Sequence, residues 1–141
     1  MLENVHLTPL KRFELDSGDV LHGLKASEQS YAGFGEAYFS MIHEGQIKGW
    51  KKHLRMTMNL IVPIGSIKFV LFDDREGSST NGNYMSVVIS KDKYSRLTVP
   101  PGIWVAFQGV GTDNMLTNIA SIEHDPEEAM TKAISEICYE W

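Results

Sequence analysis

The chain has 141 residues, enough for one domain that buries a sizeable core. It is 43% hydrophobic and 22% charged, with a net charge of −5 and no basic stripe. That balance excludes nucleic acid as the expected partner, because such affinity rests largely on neutralising phosphates. The single cysteine, Cys138, excludes a disulfide framework and a cysteine-built zinc site, and it fits a reducing cytoplasm.

Charges at Glu3, Lys11 and Arg12 mark the first residues, and no long apolar run follows, so neither a signal peptide nor a membrane span is expected. Turn formers are spread evenly, without a linker, an internal repeat or a low-complexity tract. Between them lie short runs rich in β-branched and aromatic residues. In chain order these predict strands at Ala37–Ile42, Ile47–His53, Thr57–Val62, Ile67–Phe72, Tyr84–Ile89, Arg96–Val99, Trp104–Gly109 and Met115–Ile122. Many short strands at this spacing indicate a sandwich or barrel.

Pro63-Ile64-Gly65 presets φ and then offers a glycine, so a hairpin is expected there. Asn81-Gly82-Asn83 is a second strong turn. Asp73-Asp74-Arg75-Glu76-Gly77-Ser78 reads as a charged corner with a structural Arg75 ion pair, a metal or phosphate loop being the alternative. Val99-Pro100-Pro101-Gly102-Ile103 reads as a strand, a stiff corner and a second strand.

The tail changes character at Asp125-Pro126-Glu127-Glu128, which has the order of an N-cap, a proline at the first helical position and acids facing the positive helix end. Met130, Ala133, Ile134, Ile137, Cys138 and Trp141 follow at helical spacing. A C-terminal amphipathic helix over about 126–140 is therefore expected to pack on a barrel of about 16–124 or on a second subunit. Cys138 would be a buried, inert thiol on its apolar stripe.

Lys48-Gly49-Trp50-Lys51-Lys52-His53 is the densest set of functional groups. On a strand, Lys51 and His53 share one face. Turned inward, they would attract an anionic or carbonyl-bearing ligand, and a histidine can move protons near neutral pH. Turned outward, the segment is a solvated surface strand. His6, His22, His43 and His124 are scattered singly, and His124, just before the tail, is a candidate for a barrel mouth. Trp104 either stacks on a ligand ring or plugs the barrel.

Four segments, in order, bear a likeness. They are Asp16-Ser17-Gly18-Asp19, Lys48-Gly49-Trp50-Lys51, Asp73-Asp74-Arg75-Glu76-Gly77-Ser78 and Pro100-Pro101-Gly102-Ile103-Trp104-Val105-Ala106-Phe107. Through them the chain resembles the cupin-type dTDP-4-dehydrorhamnose 3,5-epimerases and the related sugar-nucleotide 3,4-ketoisomerases. The resemblance implies an all-β, cupin-like jelly-roll barrel, a homodimer, and a sugar-nucleotide pocket inside it. Family chemistry removes a proton beside a ketone and returns it on the other face. The family's catalytic base falls at Lys51, its cationic lysine near Asn59, its second histidine at Val105 and its acid tyrosine near Thr117. Against the ketoisomerase branch, whose pattern holds two histidines, His53 matches the second and Lys51 replaces the first.

The expectation is thus one domain over 1–141, acting as a sugar-nucleotide epimerase or isomerase of surface-polysaccharide or deoxysugar biosynthesis in the cytoplasm. His53 and Lys51 are its catalytic candidates, and Lys48, Asn59, Trp104 and His124 its substrate-binding candidates. A nucleotide sugar is the expected partner. No cofactor is expected, and no metal, since Lys51 and Val105 take the places of two cupin metal ligands. The alternatives are a sugar-nucleotide-binding protein without catalysis and a structural partner of another enzyme.

Overall fold

The computed structural model describes all 141 residues. Twelve strands follow in order: β1 (His6–Pro9), β2 (Arg12–Phe13), β3 (Val20–Leu21), β4 (Glu36–His43), β5 (Ile47–His53), β6 (Met58–Ile64), β7 (Ser66–Asp73), β8 (Tyr84–Ser90), β9 (Ser95–Val99), β10 (Ile103–Gly109), β11 (Asp113–Ala120) and β12 (Ala129–Thr131). One sheet runs β1-β9-β6-β11-β4 and the facing sheet β12-β5-β10-β7-β8, while β2 and β3 form a small hairpin of their own. Within β4–β11 the two orders, 4-11-6-9 and 5-10-7-8, are those of a jelly roll. All eight strands expected from sequence are present.

Period-two alternation explains the core. Met58, Leu60 and Val62 of β6 face Ile67, Phe69 and Leu71 of β7, joined by Leu97, Val99, Ile103, Val105 and Leu116. A second cluster lies on the outer face of the β5-β10-β7 sheet, where Trp50, Val70, Trp104 and Ala106 are closed over by Ile137.

The corner at Pro63-Ile64-Gly65 is not a hairpin. β6 and β7 belong to opposite sheets, and the turn carries the chain across the barrel edge. Gly65 is required there: at φ +81° an added Cβ would lie 2.1 Å from the Asp113 carbonyl oxygen. Pro63 sits where the β6–β11 register slips, a place where a missing N–H is tolerated. Pro100-Pro101-Gly102 makes the corresponding crossing from β9 to β10.

The tail corrects the expected amphipathic helix. Its start signals operate, since Asp125 accepts a hydrogen bond from the Glu127 amide and Pro126 follows, but they yield only one 3-10 turn, Pro126–Glu128. The chain then extends as β12 and pairs with β5, Ala129 opposite His53 and Thr131 opposite Lys51. Trp50 and Lys132 exchange both backbone hydrogen bonds beyond it. A second short turn, Ile134–Glu136, follows. An isolated helix of this length is marginal, whereas the open edge of β5 offers a row of unpaired backbone groups. The edge wins. The apolar stripe is consequently split: Ile137 is buried, while Met130 and Cys138 are exposed.

The Asp73–Ser78 segment is structural. The fully buried Asp73 carboxylate accepts from the Arg75 backbone and guanidinium, from Ser78 Oγ at 2.6 Å and from Thr80 Oγ1 at 2.7 Å. Arg75 and Ser78 also reach Glu3, tying down the N-terminal segment. The Arg75 hydrogen bond, joined by Ser78 and Thr80, outweighs burial and holds the Asp73 carboxyl far below its ordinary range.

Two stability measurements test this packing. Ile137→Ala should cost roughly 2–4 kcal/mol in chemical denaturation, as for other buried aliphatic truncations; a change of a few tenths would mean that the tail is not docked. Because the folded pKa of Asp73 is depressed, its contribution is present above the unfolded value of 3.8 and is lost as pH falls below it. Asp73→Asn should therefore destabilise the protein by about 3 kcal/mol at pH 7, and by much less relative to wild type when both are unfolded near pH 2.

Candidate active site

The site grows out of an irregularity in β5. Opposite β10, Lys51 pairs with Val105 and Lys48 with Phe107, so two residues, Gly49 and Trp50, stand against Ala106 alone. Such a bulge turns a strand locally and re-aims its side chains. Gly49 is needed because its φ is +136° and a Cβ would lie 2.5 Å from the Ala106 Cβ. The bulge brings Lys48 to the same side as Lys51 and His53, and all three line a cavity of about 410 Å³ between the sheets. Trp50 and Lys52 point the other way, into the outer cluster.

His53 is buried, and its Nδ1–H donates to Glu128 Oε1. Glu128 Oε2 accepts from the backbone amides of Leu54, Arg55 and Met56 at 3.1–3.2 Å. Burial raises the pKa of Glu128, but the His53 hydrogen bond and the Arg55 and Met56 amides outweigh it, and the carboxyl stays below its ordinary value. A carboxylate on Nδ1 fixes the ring and its tautomer, leaving Nε2 as the basic nitrogen without a protein partner.

Lys51 is half-buried and makes neither an ion pair nor a hydrogen bond, so its ammonium is free within the cavity. Lys48 Nζ donates to the Met41 carbonyl. From the facing sheet come Tyr38 and Ser40 of β4 and Asn118 of β11. Tyr38 and Asn118 are directly paired across the strands, and the Asn118 amide donates to the Tyr38 hydroxyl at 3.0 Å. Met58, Leu60, Val105, Phe107 and Leu116 make the remaining wall apolar. A mostly apolar pocket with a few convergent polar groups is the usual form of a small-molecule site. Nowhere are three or more His, Cys, Asp or Glu side chains gathered as for a metal ion.

Three substrate-binding candidates lie elsewhere. Asn59 alternates with Met58 and Leu60 and so faces out of the barrel, where it donates to the Ser30 carbonyl and accepts from Thr98 Oγ1 at 2.7 Å. Trp104 neither stacks in the cavity nor plugs the barrel. It is buried on the outer face, its Nε1–H donates to Asp74 Oδ2 at 2.8 Å, and Lys52 and Lys132 lie over its ring. Regular alternation along β10 decides this, because Trp104 and Val105 take opposite faces and Val105 is inside. His124 is exposed ahead of the 3-10 turn and does not line the cavity.

Sequence reasoning missed Tyr38, Asn118 and Glu128. The first two were legible in principle, since alternation puts Tyr38 on the face of the buried Ile42 and Asn118 on that of Leu116 and Ala120. Glu128 left no such signal. Reading 126–140 as a helix assigned it to a helix terminus, and only the pairing of β12 with β5 carries it to His53.

No family model matches the chain. A solved structure of a dTDP sugar isomerase from Desulfovibrio desulfuricans G20 is 33% identical to it, with a TM-score of 0.95 over 99% of this chain and 92% of that one. The probable low-salt glycan biosynthesis epimerase Agl13 of Haloferax volcanii is 31% identical over 98 residues, 65% of this chain and 62% of its own length, less than two thirds of that relative. The spore coat polysaccharide biosynthesis protein SpsL of Bacillus subtilis is 24% identical over 135 residues, 95% of this chain and 89% of its own. The near-complete match to the isomerase, carried by the same jelly roll in which Lys48–His53 and Ile103–Phe107 lie side by side, shows that the chain belongs to the cupin-type family of dTDP-sugar isomerases and epimerases.

Proposed function

We propose that the protein is a sugar-nucleotide isomerase or epimerase that relocates a proton beside the ketone of a keto-deoxysugar nucleotide, in deoxysugar or surface-polysaccharide biosynthesis. The observation that carries this reading is the buried His53–Glu128 pair set in the wall of a cavity that also holds a free ammonium.

His53 Nε2 is suited to take the proton from the carbon next to the ketone. The C–H electron pair moves toward the carbonyl, whose oxygen becomes an enolate. Lys51 can neutralise that charge at low dielectric, where a fixed cation counts for far more than in water. Glu128 stabilises the imidazolium formed on His53. Tyr38, reaching in from the opposite sheet, is placed to return a proton from another side, and the two groups then exchange protons with solvent to reset. Lys48, farther along β5, is suited to the phosphate charge of the nucleotide.

A second reading is a binding protein without catalysis. What favours it is the replacement of two family histidines by Lys51 and Val105. We also read the chain as a homodimer. β4 forms an open sheet edge, and Phe39 and Met41 stand exposed on its outer side. The same reading places it in the cytoplasm, where Cys138 stays a free thiol, and gives it no metal.

Incubation in D₂O with a dTDP-4-keto-6-deoxyhexose tests the chemistry, since proton abstraction must precede any product. Deuterium should enter the sugar, and His53→Ala should slow its entry by about 100-fold or more. Lys51→Ala should slow it as well without lowering the thermal midpoint. Tight binding without exchange would favour the binding protein, and absence of both would leave the structural-partner role.

Nucleotide-sugar binding should also raise the melting temperature by mass action, about 2.7 kcal/mol at a ligand concentration 100 times Kd. Lys48→Ala should reduce that shift for dTDP more than for a free hexose, as expected of a residue that meets phosphate.

A further inference from the structure

Asn118 lies in the middle of β11 with its side chain wholly buried and facing the cavity. Its neighbours on that face, Leu116 and Ala120, are apolar. The amide nitrogen is occupied: it donates to the Tyr38 hydroxyl at 3.0 Å and lies 3.9 Å from Met56 sulfur. The amide oxygen has no partner. Buried polar atoms are nearly always satisfied, and an orphan invites an explanation. The structure has two other such atoms, Arg96 Nε and Trp141 Nε1. Both are donors, and neither residue lines this cavity. Arg96 staples the segment around Gly23 and Ser30 to the outer face of its sheet through its other nitrogens, and Trp141 packs by Trp50. Apart from the imidazole Nε2 of His53, Asn118 Oδ1 is thus the one fully buried side-chain acceptor of the cavity wall that no protein group meets.

An acceptor calls for a donor. Phosphate oxygens and a ketone oxygen have no hydrogen to give; a sugar hydroxyl has. Position along the barrel agrees. Met56, in contact with the Asn118 amide, is also held through its backbone by Glu128, so Asn118 sits at the end of the cavity where His53 is anchored. Taking the cavity as a sugar-nucleotide site, as proposed above, we infer that Asn118 is a specificity-determining residue whose amide oxygen accepts a hydrogen bond from a ring hydroxyl of the bound sugar. The pairing with Tyr38 sharpens the selection. Because the Asn118 N–H occupies the phenol oxygen, the Tyr38 O–H is free to donate into the cavity, and the pair presents one donor and one acceptor to the ring. A site built around a substrate hydroxyl rejects analogues that lack it, since its own polar group is then left unpaired.

The test uses dTDP-glucose and its 2-, 3- and 4-deoxyfluoro analogues as calorimetric probes. Fluorine keeps the size of the hydroxyl and cannot donate. Wild type should bind one of the three about tenfold or more weakly than dTDP-glucose. In Asn118→Leu, which keeps the branching of the side chain without the acceptor, that analogue and dTDP-glucose should bind within about twofold of each other. Asn118→Asp, which keeps an acceptor in place, should retain the preference, and Asn118→Ala, which removes the acceptor without adding bulk, should lose it and serves if the leucine variant fails to fold. Equal binding of all four probes by wild type, or a preference that survives in Asn118→Leu, would overturn the inference and leave the proposed function standing. Failure of wild type to bind any dTDP-sugar would overturn the proposed function, and the hydroxyl-reading role with it.

Discussion

Every part of the site depends on burying the carboxylate of Glu128. A charge out of water is tolerated only when each lone pair finds a donor. Here one oxygen takes the His53 N–H, and the other takes three consecutive amides just past the end of β5. The result ties the His53 ring, the turn after β5 and the start of the tail into one unit. That unit explains why the segment after Pro126 cannot stay helical. Continued helix would carry residues 129–132 away from β5, and the edge of β5 beside His53 would lose its partner.

A second constraint works on the strand itself. A regular β5 would show the cavity only every other side chain. The bulge at Gly49-Trp50 breaks that phase, so Lys48 joins Lys51 and His53 inside while Trp50 is turned out to meet Trp104 and Ile137. The same irregularity therefore builds the cationic wall and the outer aromatic cluster. It is possible only because Ala106 is small and residue 49 has no Cβ.

The rest of the polar network serves the frame. Asp73 and Arg75 close the long β7–β8 connection and hold the N-terminal segment by Glu3. Arg96, Asn59 and Thr98 secure the segment around Ser30 against the outside of the other sheet. These groups resemble functional clusters in composition, but their donors and acceptors are satisfied by the protein almost throughout. Asn118 differs because its oxygen is not.

Local patterning in the sequence determined the strands. Alternation and turn residues depend on neighbours a few positions away, so all eight jelly-roll strands, the Pro-Pro-Gly crossing and the shared face of Lys51 and His53 could be read directly. The structural pairing of Asp73 with Arg75 was legible too, because the Asp73 carboxylate finds Arg75, Ser78 and Thr80 within seven residues. Only the tertiary structure decided the remainder. Asn59 and Trp104 sit on real strands, but which face of a strand turns inward is set by the packing of two sheets, and a shift of one residue reverses every side chain. The segment after Asp125 carries honest helix-start signals, and the open edge of β5, more than seventy residues earlier in the chain, overrode them. Glu128 reached His53 by that same long-range pairing, a contact that no local pattern encodes.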